Sequence, residues 1–249
     1  MPQEFEVCRV SAVRLMSSQV RNVTIAAESL AGFAFEPGAD VAIRLPRGDG
    51  GADERHYSVW KSTAEGKFDL CVVLHGLGPG SQWAARCAVG DPVEISRSRA
   101  LPIALDRSVE AHLLFGDETS IASAEALIRA LPAEAVVLAC FEVASMDRRW
   151  PDPEVARPEA VRWVDRAGRP GSALVSWLAR QSLPSANSTT AYVTGEAWLC
   201  AMVHAHLVRD RGFPTGAVAP CHTGRPSPDR PDHGRAQPRG RFHCATAGR

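Results

Sequence analysis

Arg55-His56-Tyr57-Ser58 sets a guanidinium, an imidazole, a phenol ring and a small hydroxyl side by side. The guanidinium suits a phosphate, the ring suits a flat heterocycle, and the hydroxyl can hydrogen-bond a ring nitrogen. After a short apolar run comes a second constellation, His75-Gly76-Leu77-Gly78-Pro79-Gly80-Ser81-Gln82-Trp83-Ala84. It offers backbone N–H groups at a helix start, where a pyrophosphate is readily held. Each piece alone is weak, since Gly78, Gly80 and Ser81 by themselves make a turn and a helix cap. At this separation they read together as a flavin site in two pieces, with His75 beside the glycine run.

The glycine run departs from the G-x-G-x-x-G dinucleotide fingerprint: Ser81 stands where the third glycine belongs, and Pro79 lacks an N–H. The helix that follows, Ser81 to Ala88, has room for about two turns before Gly90-Asp91-Pro92 turns the chain into Val93-Glu94-Ile95. A parallel crossover needs about a dozen residues or more, so a short helix between antiparallel strands fits better.

The elements that must position these residues change character along the chain. Residues 5 to about 105 carry short runs such as Asn22-Val23-Thr24-Ile25-Ala26 and Phe68-Asp69-Leu70-Cys71-Val72-Val73-Leu74, separated by turn residues, which predicts a barrel or sandwich. After Asp106, continuous apolar runs (His112–Phe115, Ala135–Phe141) alternate with helical spacing at Ile121, Ala124, Ile128 and Leu131, with Thr119 or Ser120 as cap. Further strands at 161–164 and 191–194 and helices around Trp177 and from Ala197 to Arg209 complete a small α/β layer. Loops at the carboxyl ends of parallel strands bind ligands in such sheets, which makes Gly116-Asp117-Glu118-Thr119-Ser120 and Gly195-Glu196-Ala197 candidate nucleotide loops. Glu118 and Glu196 are the expected pocket acids; helix-dipole stabilisation is their plainer role. Glu142 would suit a ribose hydroxyl, and Arg148 and Arg149 a 2′-phosphate. Trp83, Trp177 and Trp198 read as core.

The 249 residues suffice for two domains, and zero formal charge gives no reason to expect nucleic acid or an anionic membrane. No apolar run approaches the ~20 residues of a membrane span, and the first residues lack a secretion signal, so no membrane insertion and a cytoplasmic place are expected. The 7 cysteines are odd in number and form no C-x-x-C pair, which fits small buried hydrophobes.

The ordered motifs RHYS, HGLGPGSQWA with its trailing Gly90-Asp91, Gly116-Asp117-Glu118-Thr119-Ser120 and Tyr192-Val193-Thr194-Gly195-Glu196-Ala197 resemble the siderophore-interacting proteins over roughly residues 5 to 213. These are FAD-dependent reductases with a ferredoxin-reductase-like fold. The resemblance implies an antiparallel FAD-binding β-barrel (1–107), a parallel-sheet α/β domain for NAD(P)H (108–215) and a Pro/Arg-rich disordered tail (216–249), the composition breaking at Cys221. It implies a cofactor set of Arg55, His56, Tyr57, Ser58, His75, Gly78, Gly80, Ser81, Trp83, Asp117, Glu118, Thr119, Gly195 and Glu196. Arg55 would meet the FAD pyrophosphate, Tyr57 the isoalloxazine and Ser58 the region near flavin N5. The implied reaction reduces a small ferric chelate, with the protein monomeric or weakly oligomeric. Two departures keep other readings open. Trp60 replaces the family's second arginine, and the closing segment differs, so another acceptor or metabolite, or flavin binding without turnover, remains an alternative.

Overall fold

Alternation of buried and exposed residues along short strands closes the first half of the chain on itself. In β3 (Asp40–Pro46) Val41, Ile43 and Leu45 enter one core, and in β5 (Glu65–Val73) Phe68 and Leu70 do the same. With β1 (Glu6–Ser17), β2 (Val20–Ala31), β4 (Ala52–Thr63) and β6 (Pro92–Arg97) they form a closed antiparallel barrel in the order β1-β2-β5-β4-β3-β6. The computed structural model describes residues 4–47, 49–76, 78–97, 103–145, 149–150 and 155–222. The short helix α1 (Pro79–Arg86) lies between β5 and β6, as the missing crossover required. It begins two residues earlier than expected, because Pro79 is pre-set for a first helical position.

The second half is a parallel sheet, in the order β11-β10-β7-β8-β9, with helices on both faces. Its elements are β7 (Ala111–Asp117), α2 (Ile121–Ala130), β8 (Val136–Val143), β9 (Val161–Asp165), α3 (Ser172–Leu178), β10 (Thr189–Gly195), α4 (Ala197–Ala205) and β11 (Val218–His222). Every residue of β7 and β10 is buried, as strands covered on both faces must be. Leu114, Phe141 and Tyr192 face α2, while Leu113, Phe115 and Val193 face the core with Leu174 of α3 and Leu199 of α4. Helix α4 stops at Ala205 and runs on to Asp210 as a π turn rather than as regular α-helix. Among the described residues no helix is long and apolar enough to cross a membrane.

Residues 216–222 correct the expected tail. A 3-10 turn (Thr215–Ala217) leads into β11, whose ladder with β10 pairs Ala191 with Val218 and Val193 with Pro220. Backbone bonding and the buried Val218 hold this segment despite its poor composition. Residues 223–249 of the expected tail lie outside the described residues. Trp198 is likewise not core: it is 37% exposed, with the Arg169 guanidinium 5.8 Å above its ring.

The two sheets share a core. Strand β4 slips register between Val59 and Lys61, so Val59 fills the barrel while Trp60 turns outward into the seam. There Trp60 meets Trp150 edge-on with centroids 4.8 Å apart, beside Met16, Val20 and the α2 residues Ile121, Ala124 and Ile128. The residue that departs from the family pattern is thus a sealing indole between barrel and α/β layer.

Candidate functional site

The cradle on the barrel side is built around Tyr57. Its partner across the β3 ladder is Val41, and its ring leans on Trp83 of α1 with centroids 6.4 Å apart. A methyl group on Gly80 would lie 1.9 Å from the Tyr57 hydroxyl oxygen and 3.6 Å from Cγ of Arg55. Only glycine permits this approach, so Arg55, Tyr57 and the first turn of α1 converge on one place. Burial pushes the Tyr57 phenol up to about 12, which keeps it a neutral ring with an O–H.

The polar groups here are largely left over. The Arg55 guanidinium is half-exposed; it donates to the Glu54 carbonyl at 2.8 Å and lies 4.0 Å from Asp53. The Ser58 hydroxyl makes no hydrogen bond to the described residues. Gly78 caps α1 with an extended backbone at positive φ (79°), open to glycine, and with no side-chain cap. Ser81 sits at the third helical position, where its buried hydroxyl accepts the Gly76 N–H at 3.2 Å and closes the glycine loop. It is not the cap that the sequence suggested. The backbone N–H groups of Gly80 and Ser81 belong to the first turn, which an α-helix leaves without internal partners. His75 is exposed just beyond β5, its ring near Gly78. His56, half-exposed, binds Asp40 at 2.8 Å, and that hydrogen bond raises the imidazole above its ordinary value. A guanidinium, unpartnered helix N–H groups, a neutral aromatic ring and an unused hydroxyl fit a flavin carrying a diphosphate.

The loops at the carboxyl ends of β7 and β10 are built differently. Asp117 is buried; one oxygen accepts the Thr119 N–H at 2.9 Å and its hydroxyl at 2.5 Å, and the other accepts the Glu196 N–H at 2.8 Å. Burial raises its pKa, opposed by these hydrogen bonds. A Cβ at Gly195 (φ 116°) would sit 2.8 Å from that carboxyl carbon, so the glycine is needed for the clamp. Glu118 and Glu142 both bind Arg166, at 3.1 Å and 3.0 Å. Glu142 also accepts the N–H groups of Gly171 and Leu174 at the start of α3. With both oxygens engaged and no exposed surface, Glu142 is not available to a ribose. Glu196 keeps one oxygen, Oε2, buried and without a partner among the described residues. Arg148 lies outside the described residues, and Arg149 stacks 5.5 Å over the Trp163 ring.

The structure therefore brings Arg55, Tyr57, Gly80, Ser81 and Trp83 together. It places Asp117, Thr119, Gly195 and Glu196 in a separate clamp and turns Glu118 toward Arg166. Sequence reasoning missed Asp40, Arg21 and Arg166. Arg21 and Arg166 act on residues far along the chain, and Asp40 meets His56 across the β3–β4 pair, 16 positions away.

Residues 46–100 match the family model of the siderophore-interacting FAD-binding domain, and residues 109–221 that of siderophore-interacting protein. An uncharacterized protein of Mycobacterium tuberculosis is 34% identical over 141 residues, 55% of this chain and 46% of that protein. The chain thus spans about half the length of the curated relatives it first matches. The ferric vibriobactin reductase ViuB of Vibrio cholerae is 22% identical over 209 residues, 74% of this chain and 75% of that protein. A solved siderophore utilization protein from T. fusca shares the fold with a TM-score of 0.78 at 24% identity, covering 94% of this chain and 97% of the other. The barrel followed by a parallel α/β sheet is the ferredoxin-reductase-like fold. With matching models on both halves, the chain belongs to the siderophore-interacting protein family, and its barrel carries that family's FAD-binding domain.

Proposed function

We propose that the chain is an NAD(P)H-dependent flavoprotein reductase whose acceptor is a ferric siderophore. The observation that carries this is the cradle in which Gly80 lets Tyr57 and Arg55 meet the first turn of α1. Bound FAD supplies the exchange between a two-electron donor and a one-electron acceptor. Arg55 and the first-turn N–H groups hold its diphosphate, Tyr57 gives its ring a neutral face, and Ser58 offers a hydroxyl to a ring nitrogen. His56, held by Asp40, and His75 flank this surface. Across the seam, the Asp117 clamp ties the Gly116–Thr119 loop to Gly195-Glu196, a shaped edge for the pyridine nucleotide at which Glu196 Oε2 awaits a donor. Ferric iron is the substrate: hard oxygen donors hold Fe(II) less firmly than Fe(III), so reduction releases the metal. The ViuB relative, a ferric vibriobactin reductase, supports this choice of acceptor.

The purified chain should show flavin absorption near ~450 nm. It should also oxidise NAD(P)H with a ferric siderophore, the Fe(II) being caught by a chromogenic chelator. A chain that takes up no FAD removes the whole reading. FAD uptake without Fe(II) formation removes the acceptor and leaves the flavin site standing.

A further inference from the structure

Helix α1 has 8 residues, fewer than the ~12–15 at which an isolated helix becomes stable in water. Its start carries no side-chain cap, yet its first turn has to keep the N–H groups of Gly80 and Ser81 parallel. The far end is fastened from another strand. Arg21 donates from Nη1 to the carbonyls of Ala84 and Ala85, each at 2.7 Å, and from Nη2 to the carbonyl of Cys87 at 3.0 Å. Those carbonyls close the helix, where an α-helix leaves acceptors without internal partners and where a fixed cation opposes the negative end of the dipole. Arg21 is itself rooted in β2, paired with Leu15 on one side and Val72 on the other, so the guanidinium is delivered from a strand held by two ladders. At ~1.5 Å per residue the helix is about 12 Å long, which keeps Arg21 clear of the anion end.

We infer that Arg21 is a positioning residue for the FAD site: by fastening the last carbonyls of α1 to β2, it keeps the first turn aligned for the cofactor's diphosphate. The inference rests on the flavin reading above. Because the Arg21 guanidinium bonds Ala84, Ala85 and Cys87 and not Arg55, Tyr57, Gly80 or Ser81, its effect passes through the helix.

Flavin-free protein titrated with FAD, followed by fluorescence quenching, measures this in wild type, Arg21→Ala and Arg21→Lys. Hydrogen exchange on the segment 79–87 reports the helix directly. Arg21→Ala should weaken FAD binding roughly five- to thirtyfold, with faster exchange confined to that segment. Arg21→Lys should recover part of the loss, since an ammonium reaches one or two of these carbonyls but lacks the planar fork. FAD affinity of Arg21→Ala within about twofold of wild type overturns the inference. So does equal weakening in both variants with faster exchange throughout β2 and β5, which marks a merely structural residue. If Arg21→Ala does not fold, Arg21→Lys decides: partial weakening with unchanged barrel exchange supports the role, and unchanged affinity removes it. A wild-type chain that binds no FAD takes the flavin reading down first and the inference with it; wild-type binding with indifferent variants removes the inference alone.

Discussion

The barrel and the α/β layer handle their polar groups in opposite ways. Around Tyr57 the Arg55 guanidinium is half-exposed, the Ser58 hydroxyl has no described partner, and the first-turn N–H groups of α1 have no partner within the helix. At the ends of β7, β8 and β10, Asp117, Glu118 and Glu142 are buried and bound to Thr119, Glu196, Arg166 and the start of α3. Both regions hold residues that the family pattern marks for a cofactor. The barrel's groups keep hydrogen-bonding capacity to spare, whereas the acids of the α/β layer use theirs in fixing the shape of their own loops. Desolvation explains the division for Asp117, Glu118 and Glu142, since a buried carboxylate without donors is costly; Glu196 Oε2, buried and without a partner among the described residues, is the exception.

The strongest way to break this contrast is Asp117→Ala. It removes three part-buried hydrogen bonds, from the Thr119 and Glu196 N–H groups and the Thr119 hydroxyl, each contributing ~1 kcal/mol. The loss of stability should be roughly 3 kcal/mol by chemical denaturation, with FAD affinity changed by less than about twofold. A variant that denatures like wild type but loses nucleotide affinity would make Asp117 a ligand contact instead of a clamp.

Glu125 tests the seam between the two regions. It lies on α2, 1% exposed, accepting the Ala156 N–H at 2.7 Å, with Arg129 3.5 Å away. Burial pushes its carboxyl up to about 7, partly offset by the Ala156 hydrogen bond and by Arg129 and Lys61. The folded value lies above the ordinary 4.5, so the associated stability is fully present below about 4.5 and is lost as pH rises through about 7. Denaturation curves should lose on the order of 2 kcal/mol between pH 5 and pH 8, and Glu125→Gln should flatten that slope. An equal slope in both proteins would assign the effect to another group.

What the sequence disclosed follows the same line between local and distant contacts. The short α1, the barrel strands and the fully buried β7 are written in turn residues and apolar runs, and the pairing of the RHYS and glycine-run motifs into one site is legible in their order. Arg21 lies 63 positions from Ala84, and Arg166 lies 48 from Glu118, so no spacing rule reaches either pair. Trp60 was read as a missing charge because its strand slip, which turns the indole into the seam, leaves no mark in composition. Residues 216–222 read as tail since β11 is held mainly by its backbone ladder with β10.

The smallest effect expected on the fold, and the sharpest on the cradle, comes from Arg55→Ala. Half-exposed and tied, among the described residues, to the Glu54 carbonyl and the distant Asp53, Arg55 contributes little to the free protein, since exposed pairs are worth ~0–1 kcal/mol. Meeting a phosphate is another matter, because a hydrogen bond to a charged group contributes about 1.5 to 3 kcal/mol. The variant should therefore melt like wild type when flavin-free and bind FAD at least about tenfold more weakly. Fluorescence titration and thermal denaturation of the same flavin-free samples check both halves. If melting fell while FAD affinity held, Arg55 would join the self-satisfied groups of the α/β layer, and the contrast between the two regions would lose its barrel side.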